Sequence, residues 1–190
     1  MDQFSVYIDA LSCGVRRWNL IWGDPFLSAS IFMVSYGVAA MLILQVARQA
    51  AGRERWLWYL CGFLFIFQVF NTPLDLHAFP GAVGHCLAKA QGWYADRGPV
   101  KLAFLIGIAV SALVVSLVLL KIFYRNIAGN LGLITGIAVV LGFTIIKGIG
   151  YKDAERLYNV MVGPFRIADF IEFSGIVIAM IAALRRRASA

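Results

Sequence analysis

Residues 71–99 decide the fold, and they read NTPLDLHAFPGAVGHCLAKAQGWYADRGP. This stretch is the longest break in an otherwise apolar chain. It holds both histidines, Cys86 and three of the five prolines. Apolar stretches long enough to be membrane-spanning helices lie on both sides of it. The sequence therefore predicts helical spans before and after a long polar loop.

The composition of the whole chain is that of a polytopic membrane protein. Apolar residues make up 61% of the 190 residues, charged residues only 14%, and the mean hydropathy is +0.80. A soluble domain carries about 25% charged residues. The deficit is spread along the chain, so a single anchor does not account for it. We expect one transmembrane helical domain over residues 1–190.

The apolar stretches predict an all-α integral membrane protein with about five transmembrane helices. The spans are expected at about 26–47, 56–74, 100–123, 131–149 and 165–184, with an outer loop at 75–99 that contains a short helix from Gly81 to Gln91. Before the first span, apolar side chains recur at helical spacing, at Phe4, Tyr7, Ile8, Leu11, Val15 and Trp18. This pattern predicts an amphipathic helix that lies in the membrane interface.

The distribution of charge predicts the topology. With the amino terminus outside, the inner side holds eight of the 17 cations and one acid, Glu54. The outer side then holds nine cations and nine acids, so the net charge of +7 lies on one face. The eight inner cations flank the spans in short joints, where the positive-inside bias operates. We expect the amino terminus on the outer side of the membrane and the carboxyl terminus on the inner side. Neither base-stacking aromatics nor a soluble basic module accompanies this charge, so nucleic acid is not a predicted partner.

Polar side chains in three spans fall at similar depths. At about 1.5 Å per residue, Glu172 lies about 20 Å above the inner boundary of its span, and Asp169 and Lys147 lie about 24 Å above theirs. Gln68 and Asn71 reach the same depths on one face of the second span. Ionisable groups inside a membrane are costly, so they pair or have a function. We expect Lys147 to pair with Asp169 or Glu172, either as a structural contact or as part of a polar pocket open to the outer side.

The histidines and cysteines give weaker indications of a site. His77 and His85 lie in a loop, whereas an axial ligand to haem or bacteriochlorophyll is normally offered from a helix. No cofactor or metal is predicted, with ligation by these histidines kept as the weaker alternative. Cys13, Cys61 and Cys86 form no CxxC pair, and we expect three free, small apolar side chains.

Two further patterns concern association with other helices. Small residues recur at four-residue steps in three spans: Ala103, Gly107 and Ser111; Gly132 and Gly136; Gly175, Ala179 and Ala183. Such stripes indicate close helix packing within the chain or a docking face for another protein. Trp93, Tyr94, Asp96 and Arg97 stand at the entrance of the third span, where aromatic rings anchor helices in the interface, and they are also candidates for partner docking.

The segment Gln91-Gly92-Trp93-Tyr94-Ala95-Asp96-Arg97, followed by Pro99 and a span, resembles the signature of a small bacterial inner-membrane family with no established function. Glu172, within Ile-Glu-Phe-Ser-Gly, is similar in placement to a residue of that family's last helix. The family pattern has a second arginine after Arg97, where this chain has Gly98. The resemblance implies a helical bundle in the bacterial inner membrane and assigns no catalytic residue.

Three functions of different classes follow from these patterns. The first is an accessory or scaffold subunit of a larger membrane protein complex, photosynthetic and respiratory assemblies included, because the chain has much helix-packing surface and no motif of a known reaction. The second is a small transporter or ligand-binding protein that uses the polar cluster. The third is a membrane enzyme of the outer face with Asp169 or Glu172 as acid or base.

Overall fold

The computed structural model describes residues 3–19, 26–96, 98–100, isolated positions between 102 and 121, and residues 127–149, 160–163 and 165–188. The helices are α1 (Gln3–Asn19), α2 (Phe26–Gln49), α3 (Gly52–Leu74), a 3-10 helix (Leu76–Ala78), α4 (Phe79–Ala90), α5 (Ile127–Ile149) and α6 (Ile167–Ala188). Every described position from 98 to 121 is also helical. The predicted all-α class is confirmed, and a hairpin of two-residue strands, β1 (Met161–Val162) and β2 (Phe165–Arg166), precedes α6.

Three helices in the described part of the chain are long and apolar enough to cross a membrane: Ser28–Gln49, Gly52–Leu74 and Ile167–Ala188. A shorter apolar helix covers Gly129–Ile145. These helices coincide with four of the expected spans, and they indicate a membrane protein. The total of five spans stays a prediction, because much of the stretch 100–123 lies outside the described residues.

The described contacts divide the chain into two compact units, and the single transmembrane domain stays a prediction. We call Met1–Gly23 with Asp75–Leu119 the small unit, and Asp24–Leu74 with Leu120–Ala190 the bundle unit. In the bundle unit α2 packs against α3 and α6, and α5 packs against α6. The fully buried side chains Tyr36, Ile43, Phe65, Leu133 and Ile176 form its core.

Helices α5 and α6 approach each other closely at glycines. A Cβ atom on Gly136 would lie 2.6 Å from the carbonyl oxygen of Gly175 and 2.7 Å from the amide nitrogen of Ala179. A Cβ atom on Gly132 would lie 3.0 Å from that of Ala182. The small-residue stripes of these two helices therefore pack against each other, in the way that small residues let membrane helices approach.

The small-residue stripe in the expected span 100–123 has a different environment. Ala103, Gly107 and Ser111 are all exposed. A Cβ atom on Gly107 would meet no other atom within 4 Å. The Ser111 hydroxyl donates a hydrogen bond to the Gly107 carbonyl oxygen, which satisfies the hydroxyl within the helix.

Polar contacts join the helices of the bundle unit at one end. Arg186, in the last turn of α6, forms a 2.9 Å ion pair with Glu54, in the first turn of α3. The Asn130 side chain, near the start of α5, donates to the same carboxylate at 3.3 Å. Arg187 donates to Gln45, near the end of α2. The ends of α2 and α6 and the starts of α3 and α5 therefore meet. This agrees with the predicted topology, in which successive spans run in opposite directions.

The small unit is built on the contact between α1 and α4, which a disulfide bond joins. Cys13 and Cys86 are bonded across 73 residues of sequence. The expectation of three free cysteines was therefore wrong for two of them, whereas Cys61 is free and buried. Sequence spacing gave no sign of the bond because the partners come from helices on either side of two spans.

Close packing surrounds this disulfide. Gly14 lies against the backbone of Val83, where an added Cβ atom would come within 2.8 Å of the Val83 Cα atom. Trp18 packs edge-on against Phe79 and donates its indole N–H to the Asp75 carbonyl oxygen at 3.1 Å. Asp75 has the left-handed backbone conformation (φ 47°), which turns the chain between α3 and the 3-10 helix. The short helix predicted from Gly81 to Gln91 is thus confirmed as α4, fixed to α1.

The predicted amphipathic helix is α1, and most of its apolar side chains are exposed, whereas Trp18 packs against Phe79 of α4. Ala10 and Gly14 are buried, whereas Phe4, Tyr7, Ile8, Leu11 and Val15 are exposed. Such a stripe on one face is typical of a helix that lies on a membrane surface. The interfacial position of α1 stays a prediction.

Candidate functional site

Among the described residues of the bundle unit, the most deeply buried carboxylate belongs to Glu172. It lies in α6, is only 8% exposed, and its Oε1 accepts a 2.6 Å hydrogen bond from the hydroxyl of Tyr36 in α2. The Tyr36 ring is fully buried and meets Phe65 of α3 edge-on, with the ring centroids 5.7 Å apart. A carboxyl group and a phenol are thus held together among aromatic rings, within helices that can cross a membrane.

A second polar group joins α3 to α5. The side-chain amide of Gln68 donates to the Thr144 hydroxyl at 2.6 Å. Asn71, one turn further along α3, donates to the Gln68 side-chain oxygen at 2.9 Å. Thr144 in turn donates to the Val140 carbonyl oxygen within its own helix. The prediction that Gln68 and Asn71 share one face is confirmed, and both side chains are buried.

Asp169 has a local structural role at the start of α6. Its Oδ2 accepts a 2.8 Å hydrogen bond from the backbone N–H of Arg166. Arg166 directly precedes the helix, and Asp169 occupies the third helical position, so the contact is one half of a capping box. The carboxylate also lies at the positive end of the helix dipole, where a negative charge is favourable.

The hairpin before α6 positions this cap. Met161 pairs with Arg166 and Val162 with Phe165, and Gly163 adopts a positive φ of 66° in the turn. The Ile167 N–H then donates to the Val160 carbonyl oxygen at 3.0 Å. The sequence predicts the start of this span at residue 165, whereas the helix begins at Ile167 because β2 occupies Phe165–Arg166.

The described hydrogen bonds of the predicted polar cluster involve several helices. Glu172 contacts α2, Gln68 contacts α5, and Asp169 caps its own helix. Lys147 lies in α5, but its side chain is outside the described residues, and so is its expected pairing with Asp169 or Glu172.

Sequence reasoning missed Tyr36 and Thr144, although the depth count could have found both. Tyr36 is twelve residues before Arg48, or about 18 Å from the end of its span. Thr144 is thirteen residues after Leu131, or about 20 Å. These depths match those of Glu172 and Gln68. The depth estimate covers only charged and amide side chains, whereas Tyr36 and Thr144 contribute hydroxyl groups.

The aromatic cluster after α4 folds back onto that helix. The Tyr94 ring meets the His85 ring at 4.8 Å, and the Lys89 ammonium group lies 5.4 Å from the Tyr94 ring centroid. Trp93 donates its indole N–H to the Gln91 side chain at 2.7 Å. Asp96 is exposed and its backbone N–H donates to the Trp93 carbonyl oxygen, whereas Arg97 lies outside the described residues. These contacts fix the segment that leads into the next helix.

The candidate metal ligands are not assembled in the described part of the chain. Within it, no group of three or more His, Cys, Asp or Glu side chains is placed to hold a metal ion. His85 packs against Tyr94, and the side chain of His77 is not among those described.

Comparisons with known proteins add no relative from which a role could be transferred. No family model, curated protein or solved structure matches the chain. The class that the fold and site define is therefore a helical membrane protein with internally bonded polar side chains, and its role has to be argued from these contacts.

Proposed function

We propose that this protein is an integral membrane accessory or scaffold subunit of a larger membrane protein complex. The observation that carries the proposal is that buried polar side chains of the bundle unit form hydrogen bonds with one another. Tyr36 binds Glu172, Gln68 binds Thr144, and Asn71 binds Gln68. Hydrogen bonds between helices hold a membrane bundle in one arrangement. This favours a structural role for the cluster over a pocket for a solute.

The small-residue stripes support the same role. Two stripes are used between α5 and α6, whereas Ala103, Gly107 and Ser111 are exposed. In a bilayer, an exposed small-residue stripe allows a helix of another subunit to approach. We expect the partner to be another membrane protein that docks along this stripe, with photosynthetic and respiratory complexes among the candidates.

Purification tests this proposal. The tagged protein, extracted from its native membranes in mild detergent, should co-elute with a second membrane protein in a fixed ratio. Gly107→Ile should remove the partner, because the larger side chain blocks close approach. Gly37→Ile in α2 is the matched control, since a Cβ atom there also meets nothing within 4 Å. A stable wild-type protein that elutes alone would contradict the subunit proposal.

The buried carboxylate favours a second candidate, a small transporter or ligand-binding protein. A carboxyl group inside a membrane bundle is costly, and Glu172 is such a group. In that case Glu172→Gln would abolish uptake or binding in a protein that remains folded and elutes alone. The third candidate, an outer-face enzyme, has less support. Asp169 is used as a helix cap, and Glu172 is buried.

For localisation we propose the bacterial inner membrane, with the amino terminus periplasmic and the carboxyl terminus cytoplasmic. Two independent features support this orientation. The inner arginines obey the positive-inside bias. The Cys13–Cys86 disulfide belongs in an oxidising compartment such as the periplasm, and both cysteines lie on the side predicted to be outer.

Thiol labelling of intact cells checks the orientation. Cys86 is buried and disulfide-bonded, so a membrane-impermeant maleimide should label it only after treatment with an impermeant reductant and partial unfolding. A cysteine placed at the exposed position Ala51 should stay unlabelled in intact cells and become labelled after lysis. Labelling of Ala51→Cys in intact cells, with Cys86 protected until lysis, would reverse the assignment.

A further inference from the structure

The outward face of α3 combines an arginine with a continuous apolar track. Five side chains on this helix are large, apolar and 40% to 70% exposed: Trp56, Leu60, Phe63, Phe67 and Phe70. Their spacing of three or four residues places them on one face. Arg53 is exposed and precedes Trp56 by three residues, so it stands at the head of the same face.

The surrounding charge is strongly positive. Arg48, Arg53, Arg55 and Arg185 to Arg187 lie at the end of the bundle unit where α2 and α6 end and α3 begins. The nearby acid, Glu54, is bound by Arg186 and Asn130. Arg55 donates to the Ala50 carbonyl oxygen and Arg187 to Gln45, which fixes the joint between α2 and α3 and ties α6 to it.

The remaining arginines point to solvent. Arg48, Arg53 and Arg185 are exposed at this end. A guanidinium group presents paired N–H donors that match the geometry of a phosphate group. The first turn of α3 adds the positive end of a helix dipole. Phosphate binding is therefore favoured at this end, directly above an apolar surface.

We infer that this face of α3 binds an anionic phospholipid. The headgroup phosphate lies at Arg53 and Arg48, and the acyl chains lie along the track from Trp56 to Phe70. The exposed Trp56 ring sits at the level between headgroup and hydrocarbon, where amphipathic rings are found. A soluble phosphate compound would use the arginines alone, whereas the continuous apolar track below them requires a ligand with a hydrophobic tail. The site is independent of the proposed subunit function.

The test is lipid binding to the purified full-length protein in detergent, measured by native mass spectrometry. Phosphatidylglycerol is compared with phosphatidylcholine of the same acyl chains. We expect phosphatidylglycerol to bind at least about ten-fold more tightly. Each basic residue near a lipid headgroup accounts for a factor of about five in affinity. Arg48→Gln with Arg53→Gln should therefore weaken phosphatidylglycerol binding about 25-fold. Phosphatidylcholine has the same phosphate but a balancing choline charge, so its binding should weaken much less.

The matched control is Arg16→Gln with Arg17→Gln, a pair of exposed arginines at the end of α1, which should have no effect on the preference. Arg53→Lys keeps the charge that directs membrane insertion but loses the paired donors, and it should weaken phosphatidylglycerol binding several-fold. This variant also serves if the double variant fails to fold.

Three results would overturn the inference. Equal binding of the two lipids by the wild-type protein would remove the charge preference. An unchanged preference in the arginine variants would place the lipid elsewhere. Competition by glycerol 3-phosphate at the concentration of the lipid would show an anion site that makes no use of the apolar track.

Discussion

The two compact units are held together by different means. In the small unit, α1 and α4 are shorter helices that meet at Gly14 and Val83 and at the Trp18 and Phe79 rings, and a disulfide bond joins them. In the bundle unit, four longer helices bury large side chains such as Tyr36 and Phe65, and glycines bring α5 and α6 into contact.

The described helices of the two units also differ in length, and α1 keeps one apolar face exposed. The outer apolar side chains of α1 are exposed, so they add nothing to packing against α4. Disulfide bonds commonly supplement the packing of short helices. The bundle unit has enough internal contact to hold its helices, and its free cysteine, Cys61, is one of the buried side chains.

The largest expected effect is the loss of the disulfide. Replacing both Cys13 and Cys86 by alanine should destabilise the small unit by about 2–4 kcal/mol, because the cross-link no longer restricts the unfolded chain. Amide hydrogen exchange, measured helix by helix, should show faster exchange in α1 and α4 and little change in α2 and α3.

The matched control is Cys61→Ala. Since Cys61 is buried in the bundle unit, this change should raise exchange in α3 and leave α1 and α4 unchanged. Equal acceleration in all helices after removal of the disulfide would show that the two units unfold together, and the comparison drawn above would fail.

The next effect concerns the glycine contact of the bundle unit. Gly136→Ala places a Cβ atom 2.6 Å from the Gly175 carbonyl oxygen, so α5 and α6 must separate. Overpacking of this kind costs about 1–3 kcal/mol. Gly142→Ala on the same helix meets nothing within 4 Å, and it should stabilise by about 0.5–1 kcal/mol because alanine is the better helix former. Thermal unfolding in detergent should therefore shift in opposite directions for the two variants. Two shifts of the same sign would contradict the predicted contact.

The same two units show what the sequence could predict. Hydropathy and length gave the helices of the bundle unit to within a few residues, because a span must be long and apolar. The periodicity of residues 4–18 also gave α1. The disulfide could not be predicted, since Cys13 and Cys86 are brought together by the packing of α1 on α4, which no local pattern encodes.

The sequence predicted some residues of the candidate site but not all of them. Depth counting found Gln68, Asn71 and Glu172, because helix rise converts residue number directly into height. It did not find Tyr36 and Thr144, the partners of Glu172 and Gln68, since a hydroxyl group in a span gives a weak sequence signal. The hairpin before α6 was missed because its two-residue strands are too short to show a periodic pattern.

The smallest expected effect on stability is that of removing the hydrogen bond between Tyr36 and Glu172. Tyr36→Phe removes the hydroxyl and keeps the ring against Phe65, so the aromatic packing is preserved. Hydrogen bonds between membrane helices contribute about 0.6 kcal/mol on average and about 1.7 kcal/mol at most. A double-mutant cycle of Tyr36→Phe and Glu172→Gln, followed by unfolding in detergent, should give a coupling energy of about 1 kcal/mol.

Tyr59→Phe, on a half-buried tyrosine of α3 that stacks on Phe63, is the control and should be nearly neutral. If the losses from Tyr36→Phe and Glu172→Gln simply add, the two groups are not coupled. The bundle unit would then depend on packing alone, and the polar contact would no longer support a structural role for Glu172.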